Sequence, residues 1–217
     1  PILMRGWGFF PEMGLEGAAL ATAIGRSCGV LYQLYCLTKS NSLIQIKLSY
    51  FKPKINLIIN IVKIAVPAIV QYVIASCSWI ILARIVAQTG GEIASSGYQT
   101  ALRLMMFFML PAWGLSNAAA TLVGQNLGNK NPEKAEKSVL MTMKFNIIYM
   151  VIVSVIFYGM SNYLVSIFTT EEHIKIVAKE GMYILASGFV LYAIGMVMMN
   201  AFNGAGDTMT PTLINFV

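Results

Sequence analysis

ALRLMMFFMLPAWGLSNAAATLVGQNLGNKNPEKAEK, residues 101–137, decides the fold. Its first two-thirds is more apolar than a helix on the surface of a water-soluble domain tolerates. Pro111, Gly114, Asn117, Gly124, Gln125 and Asn126 interrupt it, and it runs out into a Lys/Glu-rich loop. A plain membrane anchor gains nothing from these interruptions. A helix that packs tightly on neighbours, bends, or borders a polar cavity uses them.

The rest of the chain agrees with this segment. Of 217 residues, 57% are hydrophobic and 11% are charged. Water-soluble domains carry about 25% charged residues. One globular core of this size cannot hide so much apolar surface, so the bilayer is the required solvent. The net charge of +6 is then a matter of loop lysines, and no nucleic-acid partner is expected. The chain opens at Pro1 without an initiator Met and stops inside a fresh apolar run, so an internal fragment of a longer protein is expected. Cys28 and Cys36 lie about 12 Å apart along one helix, too far for a disulfide. With Cys77 they form no CxxC or His/Cys cluster, so no metal site is expected.

Five segments have the roughly 20 apolar residues that a spanning helix needs. They are Leu15–Leu37, Ile64–Ala83, Leu104–Val123, Phe145–Phe168 and Gly181–Asn203, and a sixth begins near Pro211. Alternating strand patterns are absent, which disfavours a β-barrel. The predicted fold class is therefore an all-α polytopic membrane protein.

The loops between the spans alternate in charge. The first holds Lys39, Lys47, Lys52 and Lys54 and no acid; the third holds Lys130, Lys134, Lys137 and Lys144 beside Glu133 and Glu136. The second holds only Glu92, and the fourth sets Glu171, Glu172 and Glu180 against Lys175 and Lys179. Lysine-rich loops stay in the cytoplasm. Loops 38–56 and 124–144 are thus predicted inside, and 87–94 and 169–180 outside. Arg84 and Arg103 flank the short outer loop and run against the rule.

Polar groups inside the spans are the functional candidates. Pro67 frees a carbonyl and kinks its helix, and Gln71 follows one turn later on the same face. Gln71 either borders a pathway or bonds a neighbouring helix. Pro111 repeats the kink in the third span. Gly114 and Ala118, and separately Ser116, Ala120 and Gly124, form stripes of small residues for close helix contact. Asn117 is a further polar candidate. Asn200 and Asn203 share a face at the end of the fifth span. Gly204 and Gly206 then stop that helix, and Asp207 either caps the next one or binds a cation. Arg26 sits near the middle of its span and is expected to face protein or water, with Glu16 or acids on the remaining helices of the polypeptide as its partner. His173, the only histidine, falls in a charged loop. No nucleophile–His–acid set or phosphate loop is present, so the chain is not expected to be an enzyme.

Three separated patterns carry a family resemblance. They are GLEGAALAT at 14–22, PAWGLSNAAATLVGQNLG at 111–128 followed by Pro132, Ala135 and Glu136, and NGAGDTMTP at 203–211. In this order and spacing they resemble the MATE family of multidrug and toxic-compound extrusion transporters. The resemblance implies twelve helices in two six-helix lobes related by a pseudo-two-fold axis. Leu15–Leu37 would be helix six, the next four spans helices seven to ten, and Pro211 the start of helix eleven. Residues 1–37 would close the N-terminal lobe, 38–56 would be a basic linker between lobes, and 57–217 an incomplete C-terminal lobe.

The resemblance also implies export of cationic, amphipathic compounds by alternating access, driven by Na+ or H+ entry, with no other cofactor. Partners would be those compounds, the lipid bilayer and the remaining helices of the same polypeptide, one to five, eleven and twelve. The location would be a bacterial plasma membrane. Some members bind the coupling cation through acids in the first helix and others through an acid in helix seven. Ile64–Ala83 holds no acid, which points to the other lobe. Two other functions remain: a lipid-linked saccharide flippase of the related superfamily, which would use intramembrane arginines of which Arg26 is the central one, and a scaffold without transport, which would not need the prolines and intramembrane amides.

Overall fold

The computed structural model describes residues 13–38 and 53–216. Lys39, Lys47, Lys52 and most of the 38–56 segment lie outside the described residues. The chain divides into two compact units, residues 1–58 and 59–217.

In the first unit, helix α1 spans Gly14–Thr38. Gly17 is its buried residue, while Arg26 is exposed. Among the described residues Arg26 has no ion-pair partner, so the expected bridge to Glu16 is absent. Glu16 lies ten positions away, about 15 Å along the axis, beyond the reach of the two side chains.

The second unit contains nearly all of α2 (Ile55–Gly128), then α3 (Pro132–Ser166), α4 (Glu172–Ala205) and α5 (Met209–Phe216). Helices α2, α3 and α4 are long and apolar enough to cross a membrane; α1, with its Arg and Gln, is long enough but less apolar. The 74 residues of α2 are two spans joined at Gly91, its one non-helical residue, with φ 66° and ψ −154°. This backbone region is essentially restricted to glycine. Contacts at the far ends show that the chain reverses there. The Thr208 hydroxyl donates to the Ile64 carbonyl at 2.8 Å. Four residues earlier, a Cβ on Gly204 would stand 2.6 Å from Ala120 Cα. A straight helix would hold residues 64 and 120 about 84 Å apart. The first arm (59–90) and second arm (92–128) are therefore antiparallel. The outer loop expected at 87–94 is reduced to a single residue because a glycine can turn the chain without slack.

The second arm, α3 and α4 form the core. The second arm and α4 run parallel with a constant offset: Gly97 meets Val177, Gly181 meets Ala101, and the Ser116 hydroxyl donates to the Met196 carbonyl 80 positions on. Helix α3 runs antiparallel to both. The Tyr149 hydroxyl donates to the Phe108 carbonyl, and Ser154 to that of Ala186. Each such side-chain bond between membrane helices contributes about 0.6 kcal/mol. Phe108, Phe157 and Phe189 make edge-to-face pairs with centroids 5.3 Å apart. Each pair adds about 0.5–1.5 kcal/mol beyond the area it buries. Phe157, Met150 and Met182 are completely buried around them.

Two sharp corners lie at one end. After α2, the Asn131 N–H bonds to the Asn126 carbonyl and the Lys130 N–H to that of Leu127, with Lys130 left-handed at φ 55°. After α4, the Asp207 N–H bonds to Phe202 and the Gly206 N–H to Asn203, with Gly206 at φ 85°. These are two copies of one helix-stopping pattern. Pro132 begins α3, capped by the Asn131 side chain on the Lys134 N–H at 3.1 Å. The broad cytoplasmic loop expected at 124–144 is thus a three-residue turn. Gly124, Gln125 and Asn126 continue the helix, and the helical backbone also passes through Pro67 and Pro111.

The turns sort into two groups. Lys130, Lys134 and Lys137, with Glu133 and Glu136, share an end with the Gly206 corner and Ile64, while Glu92, Glu171 and Glu172, with Lys175 and Lys179, share the Gly91 end.

Candidate functional site

The intramembrane amides separate into three environments. Asn200 is half-buried, and its Nδ2 donates to Ser116 Oγ at 2.8 Å and to the Met196 carbonyl at 3.0 Å. Ser116 is fully buried and spends its own proton on that carbonyl. Asn200 therefore fastens the second arm to α4. Asn203, one turn on, has a buried Oδ1 without a partner among the described residues.

Gln71 is 2% exposed, and neither its Nε2 nor its Oε1 meets a hydrogen-bond partner among the described residues. An unpaired buried amide costs about 1–3 kcal/mol. Its neighbourhood is otherwise paired. The Thr212 hydroxyl donates to the Pro67 carbonyl at 2.9 Å, and the Thr208 hydroxyl to the Ile64 carbonyl at 2.8 Å. Proline disturbs the ladder around carbonyls of the preceding turn, and Thr208, just before α5, and Thr212 within it occupy the groove beside it. Gln71, one turn further along the first arm, remains the one open buried amide there among the described residues.

Asn117 has a different place. It is exposed, while Ser116 next to it is buried, because adjacent helix positions diverge by about 100°. The structure does not bring Asn117 together with Gln71 or the α4 amides. Of the two small-residue stripes, Ser116, Ala120 and Gly124 make the contact: a Cβ on Gly124 would lie 3.3 Å from the Gly204 carbonyl oxygen. Gly114 and Ala118 are exposed, with nothing within 4 Å of a Cβ on Gly114.

The corner residues divide their roles. Gly206 supplies the left-handed stop, whereas Gly204 is helical and allows backbone contact with Ala120. Asp207 caps α5: Oδ1 accepts from the Thr210 N–H at 3.1 Å and Oδ2 from the Thr210 hydroxyl at 2.6 Å. These bonds hold its carboxyl below the usual carboxylate range. Both oxygens serve the corner, which accounts for the residue without a cation.

Two apolar cavities meet at Tyr192. One, about 350 Å3, is lined by Met196, Met198, Met199, Phe202 and Pro211 between α4 and α5. The other, about 250 Å3, is lined by Trp79, Met105, Met109, Leu185 and Phe189. Among the described residues no acid lines either one. Methionines adapt to irregular ligands, and aromatic faces attract cations.

Sequence reasoning missed Thr212 and Asn146. Asn146 is fully buried, with its Nδ2 on the Ala193 carbonyl at 3.4 Å. A lone amide in a charge-free run was the available signal for it. Thr212 carried none, since its partner lies 145 positions away.

Antiparallel apolar helices with buried amides and backbone carbonyls bonded across the bundle define an integral, multi-pass membrane protein. The comparisons then give the family. The MatE profile matches residues 67–217, and the chain belongs to that family. It is 28% identical over 96% of its length to the probable multidrug resistance protein NorM of Thermotoga maritima, and covers 44% of that protein. It is 25% identical over 99% of its length to the multidrug export protein MepA of Staphylococcus aureus, covering 46%. An outward-facing multidrug resistance MATE family transporter of the MOP superfamily has the same fold, with a TM-score of 0.87 at 24% identity over 99% of this chain and 48% of the other. The chain thus spans about half the length of the relatives it matches.

Proposed function

We propose that this chain is most of the C-terminal lobe of a cation-coupled antiporter in a bacterial plasma membrane. It exports cationic or amphipathic drugs and toxic compounds by alternating access, with Na+ or H+ as the driving ion. Residues 57–217 serve as that lobe, 38–56 as the inter-lobe linker, and 1–37 as the end of the other lobe. The lysine-rich end faces the cytoplasm.

The observation that carries this proposal is the pair of methionine- and aromatic-lined cavities meeting at Tyr192. They suit flat apolar bodies of varied shape, and its similarity to a multidrug resistance protein and a multidrug export protein suits the same chemistry. The spans of the second unit contain no Asp or Glu, so the coupling carboxylate belongs to the other lobe. Gln71 contributes a neutral polar contact beside the pathway.

Cells making the full-length protein are expected to accumulate less ethidium, and collapsing the ion gradient should abolish the difference. Equal accumulation with and without the protein, across a broad panel of dyes and drugs, refutes transport. Gln71→Ala is expected to change resistance to at least one exported compound at unchanged membrane abundance. Unchanged resistance throughout assigns Gln71 to packing.

A further inference from the structure

We propose that a polar cavity at the Gly91 end is a binding site for a phosphate oxyanion, held by Arg103. The cavity, about 430 Å3, is lined by Ser95, Ser96, Gln99, Thr100 and Arg103 of the second arm, with Phe168, Thr169 and Ile174 across from them. Five polar side chains lie on one stripe of helix, at spacings of three and four residues that place them on one face. The Thr100 hydroxyl is spent on the Ser96 carbonyl at 2.9 Å. Ser95, Ser96 and Gln99 have no side-chain partner among the described residues.

The charge balance is the second observation. Among the described residues Arg103 is the only charged one lining the cavity, and it has no ion-pair partner. It stands immediately before the apolar run that opens at Leu104, at the end of the bundle that also carries Arg84, Lys175 and Lys179, none of which lines the cavity. An arginine kept there against the loop-charge bias needs a reason, and bare snorkelling does not require a polar cavity around it. A guanidinium binds a phosphate through two parallel N–H bonds, and hydroxyl and amide donors complete an oxyanion shell. Glu92 precedes Ser95 and Ser96 by about one turn but does not line the cavity, and Glu172 is bonded to Lys175 at 3.2 Å. Arg103 borders the apolar run that opens at Leu104, so the phosphate can come from a phospholipid headgroup or from solution.

The full-length protein, delipidated in detergent, can be titrated by native mass spectrometry with phosphatidylglycerol, with diacylglycerol bearing the same tails, and with inorganic phosphate. Phosphatidylglycerol is expected to bind, and Arg103→Gln to weaken it roughly tenfold, the scale of a lost charged hydrogen bond. The double change Ser95→Ala with Gln99→Ala should give a smaller loss and tests the site if Arg103→Gln does not fold. Arg84→Gln, outside the cavity, should bind as the parent. Displacement of the lipid by inorganic phosphate, lost in Arg103→Gln, supports the site with a soluble oxyanion as its source; lipid binding indifferent to phosphate supports the headgroup. Equal binding by Arg103→Gln, equal loss in Arg84→Gln, or equal affinity for diacylglycerol overturns the proposal. The readout is binding, so it stands or falls separately from export.

Discussion

Only 6% of the most apolar window of α2 is buried, against 33% for α4, although both are apolar enough to cross a bilayer. In the first arm, Ile61, Ile69, Tyr72 and Ile80 are all 60% exposed or more. In the second arm, Leu104, Met105, Met109 and Ala112 are buried against α3 and α4. Apolar character alone therefore does not decide which helix forms the core. Lipid is as apolar as leucine, so membrane helices associate through shape and hydrogen bonds. The second arm has Ser116, Ala120 and Gly124 to let a neighbour approach, and the Phe108 carbonyl, which accepts from Tyr149. The first arm is joined by two threonine hydroxyls at Ile64 and Pro67.

The sharpest way to break this contrast is a pair of truncations. Phe157→Ala should destabilise the purified protein by about 3–4 kcal/mol, because it empties the aromatic ladder. Ile80→Ala on the first arm should stay within about 0.5 kcal/mol. Thermal melting in detergent checks both, and similar losses would erase the distinction between the regions. Gly204→Ala comes next. It drives a methyl group into the Ala120 backbone, which cannot yield as a side chain does, and about 2 kcal/mol should be lost in the same assay. A neutral result would show that the crossing has slack. Thr212→Val is the mildest change, removing one of the two bonds to the first arm for about 0.6–1 kcal/mol. A spin label at position 69 should become more mobile while one at 148 does not; equal mobility at both sites would mean that the first arm is fastened elsewhere.

Much of this architecture was legible in the residues. Charge-free runs mark the spans because the bilayer leaves no alternative, and lysines mark one set of turns. The Asp207 cap was readable because Gly, Asp, Thr and Pro together describe a corner locally. Contacts between helices were not readable in this way. Ser116 and Asn117 are neighbours in sequence with opposite surroundings, and only the register against α4 separates them. Nor do local residues reveal that Thr208 and Thr212 would occupy the groove at Pro67. The glycines at 90 and 91 signalled a loop, yet the chain uses a single residue of it.

That single-residue turn at Gly91 has a consequence for how the gene can vary. A loop absorbs inserted or deleted codons, but a lone pivot between two rigid rods does not. One extra residue between Pro67 and Ala120 rotates everything beyond it by about 100° and lifts it by about 1.5 Å. The threonine contacts at 64 and 67 and the backbone contact at 120 cannot then both survive. The distance from Pro67 to Ala120 is a fixed ruler, whereas the five non-helical residues at 167–171, between α3 and α4, leave the lobe more room to change length.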